Sequence, residues 1–206
     1  AGCDEERFVL RNARHLAAGY MRAILRKGDI AVDATMGNGK DTQFLCELVG
    51  EEGHVYAFDV QKEAVERTAA KLKDAGYENR ATLLLAGHET MKEHVDRAPR
   101  VVMFNLGWLP GAEHIVTTKT ETTLAAAQAA IELVMPGGFV SICVYPGHEE
   151  GTRELHALLD WAGSLYANTM CCITRSSMQR QERLNSFSSR RTEIQISLRQ
   201  NFNKFT

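Results

Sequence analysis

Five short apolar runs punctuate the chain, at 30–34 (IAVDA), 54–59 (HVYAFD), 81–86 (ATLLLA), 100–105 (RVVMFN) and 138–145 (GFVSICVY). They are rich in Val, Ile, Leu and aromatics, as parallel strands covered on both faces tend to be. Between and around them lie segments with helical spacing, at 8–26, 41–49, 61–75, 89–96, 121–135 and 149–163. Gly28, Gly50, Gly76 and Pro136-Gly137-Gly138 fall at the junctions, where helices stop and strands restart. Strand–helix alternation of this kind predicts an α/β fold: three layers, Rossmann-like, around a mostly parallel central sheet. No internal repeat interrupts it and no linker precedes about residue 168, so 1–206 reads as a single domain.

In such sheets ligands bind beyond the carboxyl ends of the strands, so the loops after each strand are where chemistry is to be sought. After the first strand comes VDATMGNGKDT, residues 32–42. Its glycines let backbone approach a ligand closely, and the helix that follows offers free N–H groups. A phosphate-binding P-loop is excluded: Gly39-Lys40 is followed by Asp41, and Ala34 stands five positions before Gly39. A GxGxxG dinucleotide loop is excluded too, because Thr42 occupies the third glycine's place. The pattern that fits is the D-x-x-x-G-x-G loop of class I methyltransferases, which bind S-adenosylmethionine. The second strand supports this, ending in AFDV with Asp59 placed 26 residues after Asp33. An acid there accepts hydrogen bonds from ribose hydroxyls. The expected cofactor contacts are therefore Asp33, Thr35, Gly37, Asn38, Gly39, Asp41, Thr42, Asp59, Val60 and Gln61, with His88 and Glu89 from the loop after strand three at the adenine edge. The structural alternative makes Asp33 and Asp59 caps of a turn and a helix, and Glu89 a first-turn acid.

Strand four runs into NLGWLPG, residues 105–111, where amino-directed methyltransferases carry Asn/Asp-Pro-Pro-aromatic. Methyl transfer to nitrogen needs a lone pair aimed at a sulfonium carbon, about 3 Å away. Asn105 and the carbonyls of Leu106 or Gly107 are the expected acceptors of the nitrogen's protons. Trp108 is the expected ring against the substrate, and Asn105 also borders the cofactor. The match is partial, since there is no Pro-Pro and Pro110 comes five residues after Asn105. The alternative is that Asn105 and Pro110 only shape a turn. TTKTETT (117–123) either caps a helix or lines the pocket, through Thr122. YPGHEEG (145–151) closes strand five and offers Tyr145, Gly147 and His148, the last as a candidate proton acceptor.

Composition adds little until charge is placed along the chain. The net charge is −2, with 24 basic and 26 acidic residues. Seven basic residues (Arg175, Arg180, Arg183, Arg190, Arg191, Arg199, Lys204) face only Glu182 and Glu193 at the C-terminal end. Such a segment suits phosphate backbones, or is simply solvated. No apolar stretch reaches the roughly 18 residues a membrane helix needs, and no signal-peptide core is visible. The five cysteines form no CxxC and no zinc spacing. A reduced, cytoplasmic protein without a metal is expected.

Taken together, VDATMGNGKDT, VYAFDVQ, MFNLGWLPG, TETT and VYPGHEEG resemble the bacterial rRNA-methylase-like family, whose members act as MnmM-type tRNA wobble-uridine methyltransferases. The resemblance runs from about Asn12 to about Trp161, with five motifs in order. It implies a class I methyltransferase fold, S-adenosylmethionine as cofactor, and N-methylation of 5-aminomethyl-(2-thio)uridine at the tRNA wobble position. The implied partner is tRNA, through its anticodon stem-loop; no membrane partner is expected, and a homodimer is left open. It assigns site roles to Asp33, Gly37, Asn38, Gly39, Asp41, Asp59, Gln61, Asn105, Leu106, Gly107, Pro110, Thr122, Thr123, Tyr145, Gly147 and His148. Trp108 stands where the family more often has Tyr. Methylation of rRNA or a small amine, or a non-catalytic cofactor- or RNA-binding module, are the alternatives.

The chain departs from that family at its end. Residues 170–206 are rich in Ser, Arg and Gln, with no comparable apolar strand beyond Glu193–Leu198. Back-translated with permissible codons, another reading frame after about Thr169 yields a string that ends as the family does. The departure therefore reads as a frameshift from about residue 170, which would make the basic tail accidental and would damage the last hairpin of the sheet.

Overall fold

The computed structural model describes residues 13–106, 119–144, 149–165, 169–179 and 190–200. In chain order the elements are α1 (Ala13–Ile24), β1 (Ile30–Asp33), α2 (Lys40–Val49), β2 (His54–Asp59), α3 (Lys62–Asp74), β3 (Ala81–Leu85), α4 (Met91–His94), β4 (Val101–Leu106), α5 (Thr120–Leu133), β5 (Phe139–Val144), α6 (Glu149–Ser164), β6 (Thr169–Gln179) and β7 (Arg190–Gln200). The sheet has seven strands in the order β3-β2-β1-β4-β5-β7-β6. Neighbours from β3 through β5 are parallel, and β7 runs antiparallel between β5 and β6. After β3 the chain crosses back to lay β4 beside β1, so the strand order reverses between them. The carboxyl ends of β1 and β4 therefore flank the crevice where ligands of such sheets sit.

Helices cover both faces, and strand alternation decides what each side chain meets. On one face Val32, Phe58, Phe104 and Ile142 pack with Ala126, Ala127 and Ala130 of α5 and Leu158 of α6. The other gathers Ala31, Val55, Val101 and Phe139 against Met21 of α1, Leu45 and Val49 of α2 and Leu72 of α3. Asp33 shares its parity with Ala31, and Asn105 with Val101, so both strand-end polar residues fall on the α2 side.

The five expected strands appear within a residue or so of their predicted ends. The helix predicted over 89–96 is shortened: His88–Thr90 forms a 3₁₀ turn and only Met91–His94 is α-helical. There Gly87 O accepts both the Thr90 amide, at 3.0 Å, and the Thr90 hydroxyl, at 2.8 Å, which holds the tighter turn. Residues 8–12 of the first predicted helix lie outside the described residues.

The expectation of a damaged C-terminal hairpin is corrected. β6 pairs with β7 from Thr169↔Gln200 to Gln179↔Arg190, and β7 pairs with β5 from Phe139↔Arg199 to Val144↔Ile194. The reason lies in a period-two pattern that composition conceals. Ile194, Ile196 and Leu198 alternate with polar residues, and Ile196 and Leu198 are fully buried. The residue between them, Ser197, is small enough to be buried as well. Main-chain pairing needs only that alternation, whatever the tail's charge.

Candidate active site

The loop after β1 is braced from within. Asp33 is buried, its Oδ1 accepting the Thr35 amide at 3.1 Å and its Oδ2 the Thr42 hydroxyl at 2.6 Å. Burial, and next the negative charge of Asp41, push the Asp33 carboxyl up to about 7, against the pull of its two hydrogen bonds. The loop is also stitched to both flanking strands. Ala34 N donates to Met103 O of β4 at 2.8 Å, and Met36 N to Phe58 O of β2 at 2.9 Å. Gly37 and Gly39 then carry the chain through φ +53° and +75°, a region that favours glycine. At Gly39 space forbids a side chain as well, since a Cβ would lie 2.6 Å from the Thr68 hydroxyl of α3. Gly39 is the cap residue that starts α2, and Asn38 Oδ1 accepts the Lys40 amide at 3.2 Å beside it.

Asp59 closes this cradle from the next strand. Its Oδ2 accepts the Gly37 amide and its Oδ1 the Gln61 amide, both at 2.9 Å. Each carboxylate oxygen has a second lone-pair direction, so Asp59 retains acceptor capacity toward a ligand. Val60, next to it, is 56% exposed, an apolar side chain at the rim of a polar loop. A glycine cradle, a half-buried acid with spare lone pairs and an exposed apolar flank fit an adenosyl group carrying vicinal ribose hydroxyls.

His88 is placed differently from a base-contacting residue. It is buried, its Nδ1 lies 3.1 Å from Ala34 O, and its ring centroid is 5.7 Å from that of Phe104. Burial lowers its pKa, so the neutral ring props the Ala34 carbonyl from below, Nδ1–H donating. Glu89 is exposed, with its carboxylate folded back over Gly87. Thr42, fully buried on Asp33, likewise supports the loop from inside.

β4 brings Asn105 to the same cleft. Its backbone N–H donates to Thr35 Oγ1 at 2.7 Å, tying the end of β4 to the β1 loop. Its Nδ2 donates to Asp41 Oδ2 at 3.1 Å. Its Oδ1 is buried and accepts no hydrogen bond. Leu106, the next residue, points its side chain into the core and is fully buried. Gly107, Trp108, Pro110, Tyr145, Gly147 and His148 lie outside the described residues.

The polar stretches before α5 and at the start of α6 meet each other. Glu150 Oε1 accepts the Thr120 amide at 3.1 Å and its hydroxyl at 2.7 Å, so α6 supplies the N-terminal cap of α5. The buried Glu154 accepts the Thr123 hydroxyl at 2.5 Å. Thr122 donates to the Lys119 carbonyl at 3.0 Å. Sequence reading did not foresee Glu150 and Glu154. Their signal was the matched spacing of two Thr on one helix and two Glu on the other, one turn apart in each.

The family model described as "Putative rRNA methylase" matches residues 55–188, well over half of the chain. The chain belongs to that family. Its match reaches into the basic C-terminal segment, beyond the point near Trp161 where the motif resemblance stops. The chain is 37% identical, over 80% of its length, to the Arabidopsis thaliana chloroplastic tRNA (mnm5s2U34)-methyltransferase, and spans 64% of that relative. Among solved structures, a Clostridium thermocellum protein bearing the family's description superposes with a TM-score of 0.82 at 33% identity, over 94% of this chain and 100% of that one. A Streptococcus mutans protein described as a putative methyltransferase, solved in complex with SAH, gives 0.73 at 31%, over 93% and 99%. The fold is thus that of the family, a Rossmann-like methyltransferase sheet with helices on both faces.

Proposed function

We propose that this chain is an S-adenosylmethionine-dependent RNA methyltransferase that N-methylates 5-aminomethyl-(2-thio)uridine at the tRNA wobble position. The observation that carries the reading is the buried, unpartnered Oδ1 of Asn105, set at the end of β4 beside the β1 glycine loop. An orphaned buried acceptor costs roughly 1–3 kcal/mol. It suits a ligand that brings a donor, and a primary amine about to be alkylated is one. The curated relative's name, a tRNA wobble-uridine methyltransferase, supports the acceptor. The SAH complex of the Streptococcus mutans protein supports the cofactor.

In this reading Gly37, Asn38 and Gly39 hold the cofactor's amino-acid end and Asp59 its ribose, with Val60 and Gln61 beside the base. The bound cofactor supplies a methyl already activated on a sulfonium. The chain's own task is positioning. Asn105 Oδ1 accepts a hydrogen bond from one N–H of the amine and aims its lone pair, and the carbonyl of Leu106 or Gly107 accepts one from the other. Trp108 and Tyr145 pack on the uracil ring, Pro110, Thr122 and Gly147 shape its pocket, and His148 receives the released proton. His88, Thr42 and Asp33 hold the loop from beneath.

Nucleoside mass spectrometry tests this. The protein is incubated with S-adenosylmethionine and tRNA carrying unmethylated 5-aminomethyl wobble uridine. A one-methyl gain on that nucleoside is the expected result. No gain, with SAH binding intact, would rule out this acceptor.

A further inference from the structure

The side-chain amide of Asn105 has two ends, and only the oxygen end can serve an amine donor. Rotation of that amide by half a turn would place Nδ2 where Oδ1 stands, presenting two N–H donors to the substrate's own N–H groups. Something in the protein must choose. The backbone of Asn105 is fixed by its N–H bond to Thr35 Oγ1 at 2.7 Å, which leaves the amide torsion as the remaining freedom. Asp41 Oδ2 meets Nδ2 at 3.1 Å. Asp41 Oδ2 accepts that bond, so the NH₂ end turns toward Asp41 and the oxygen end turns away. The oxygen is then the atom left buried and bare.

We propose that Asp41 is a positioning residue for methyl transfer, acting through Asn105 by selecting its amide orientation and not as a contact of the cofactor. This rests on the functional reading above, in which Asn105 orients the acceptor. Asp41 is suited to the task by its place in the chain. It is the acidic residue in the first turn of α2, directly after the glycine loop, so the loop that holds the cofactor also sets the angle of Asn105. One short segment then fixes the donor on one side and the acceptor on the other.

The test uses the full chain with S-adenosylmethionine and the tRNA substrate, and reads kcat, SAH affinity by calorimetry, thermal midpoint and the ¹⁵N side-chain amide signal of Asn105. Asp41→Ala should lower kcat roughly 10- to 100-fold, the scale of a misaimed reacting group. SAH affinity and midpoint should stay near native, and the Asn105 amide protons should lose their protection from exchange in the ligand-free protein. Reversing the pair gives a sharper result. Asn105→Asp alone sets two carboxylates about 3 Å apart and should be nearly inactive. Adding Asp41→Asn restores the hydrogen bond with opposite polarity, again leaving an oxygen toward the substrate, and should raise kcat at least tenfold above Asn105→Asp. Native-like kcat in Asp41→Ala would overturn the proposal, as would a double variant no better than Asn105→Asp. A loss of SAH affinity that accounts for the loss of turnover would do so too. Asn105→Ala, run in parallel, separates the two levels. If it keeps turnover, the functional reading itself falls; if it is inactive while Asp41→Ala is native-like, only the role of Asp41 falls.

Discussion

At the ends of β1 and β2 the acidic side chains are met by donors of the protein itself. Asp33 holds Thr35 and Thr42, and Asp59 holds the amides of Gly37 and Gln61. At the end of β4, Asn105 is tied at its backbone and at Nδ2, yet its Oδ1 is buried with nothing to accept. The first half is a cradle held by its own hydrogen bonds, with Asp33 buried and Asp59 only half-buried. The second keeps an unmet acceptor whose desolvation the fold tolerates. Satisfied groups fix a shape, and a buried unsatisfied acceptor at a strand end can be met by a ligand's donor. In the proposed reading, β1–β2 serve recognition and β4 the chemistry.

The strongest way to break that division is Asn105→Ala. Removing one preorganised polar contact of a reacting group costs about 10²–10³-fold in turnover in comparable sites. Turnover should fall on that scale while SAH affinity changes little. If cofactor binding collapses in a folded variant, Asn105 belongs to the cradle and the division is wrong. Asp59→Ala is its mirror image. Cofactor affinity should fall roughly 10- to 100-fold, the loss of one or two charge-assisted hydrogen bonds. At saturating cofactor, turnover should recover most of its native value. Unchanged affinity would remove Asp59 from the ribose.

These contrasts were only partly legible in the sequence. Short apolar runs located β1 to β5, because β1, β2, β4 and β5 are buried on both faces and their composition says so. β7 was nearly missed, since its polar residues and the surrounding arginines outweigh Ile194, Ile196 and Leu198 when composition is averaged. Motif spacing placed Asp59 and the glycine loop on adjacent strand ends. It could not tell an outward side chain from an inward one. Thr42 and His88 read as ligand contacts, whereas in the fold they turn under the loop, to Asp33 and to the Ala34 carbonyl. Their direction depends on where α2 and β4 pack, which no local pattern encodes. Glu150 and Glu154 carried only the weak signal of matched spacing, because their partners lie about thirty positions away.

Smaller in effect, but aimed at the rigidity of the cradle, is Gly39→Ala. A Cβ there would lie 2.6 Å from the Thr68 hydroxyl, 2.9 Å from its methyl and 3.0 Å from its Cα, at φ +75°. Strain of this kind costs about 1–3 kcal/mol, which a lowered thermal midpoint should report. Pairing the change with Thr68→Ala removes the hydroxyl and methyl but leaves the crowding against the α3 backbone and the strained φ, so recovery should be incomplete. Full recovery would mean that the loop's positive φ carries no cost, and that the cradle is softer than its hydrogen bonds suggest.

The subtlest test separates brace from ligand contact at Asp33. Its carboxyl is raised from 3.8 to about 7, first by burial and then by Asp41. The folded state therefore keeps a proton on Asp33 that the unfolded chain loses from about pH 4 upward. Where the native state binds the extra proton, stability falls as pH rises, so Asp33 withdraws stability between about pH 4 and 7 and little more beyond. Asn in its place can still accept the Thr35 amide and can donate to the Thr42 hydroxyl, without a charge to bury. The urea midpoint of Asp33→Asn should accordingly gain on that of the native chain between pH 5 and 7.5 and then run parallel to it. Taking the difference between the two proteins cancels the titration of the histidines, which both share. A constant difference across that range would mean that the Asp33 carboxyl does not titrate there.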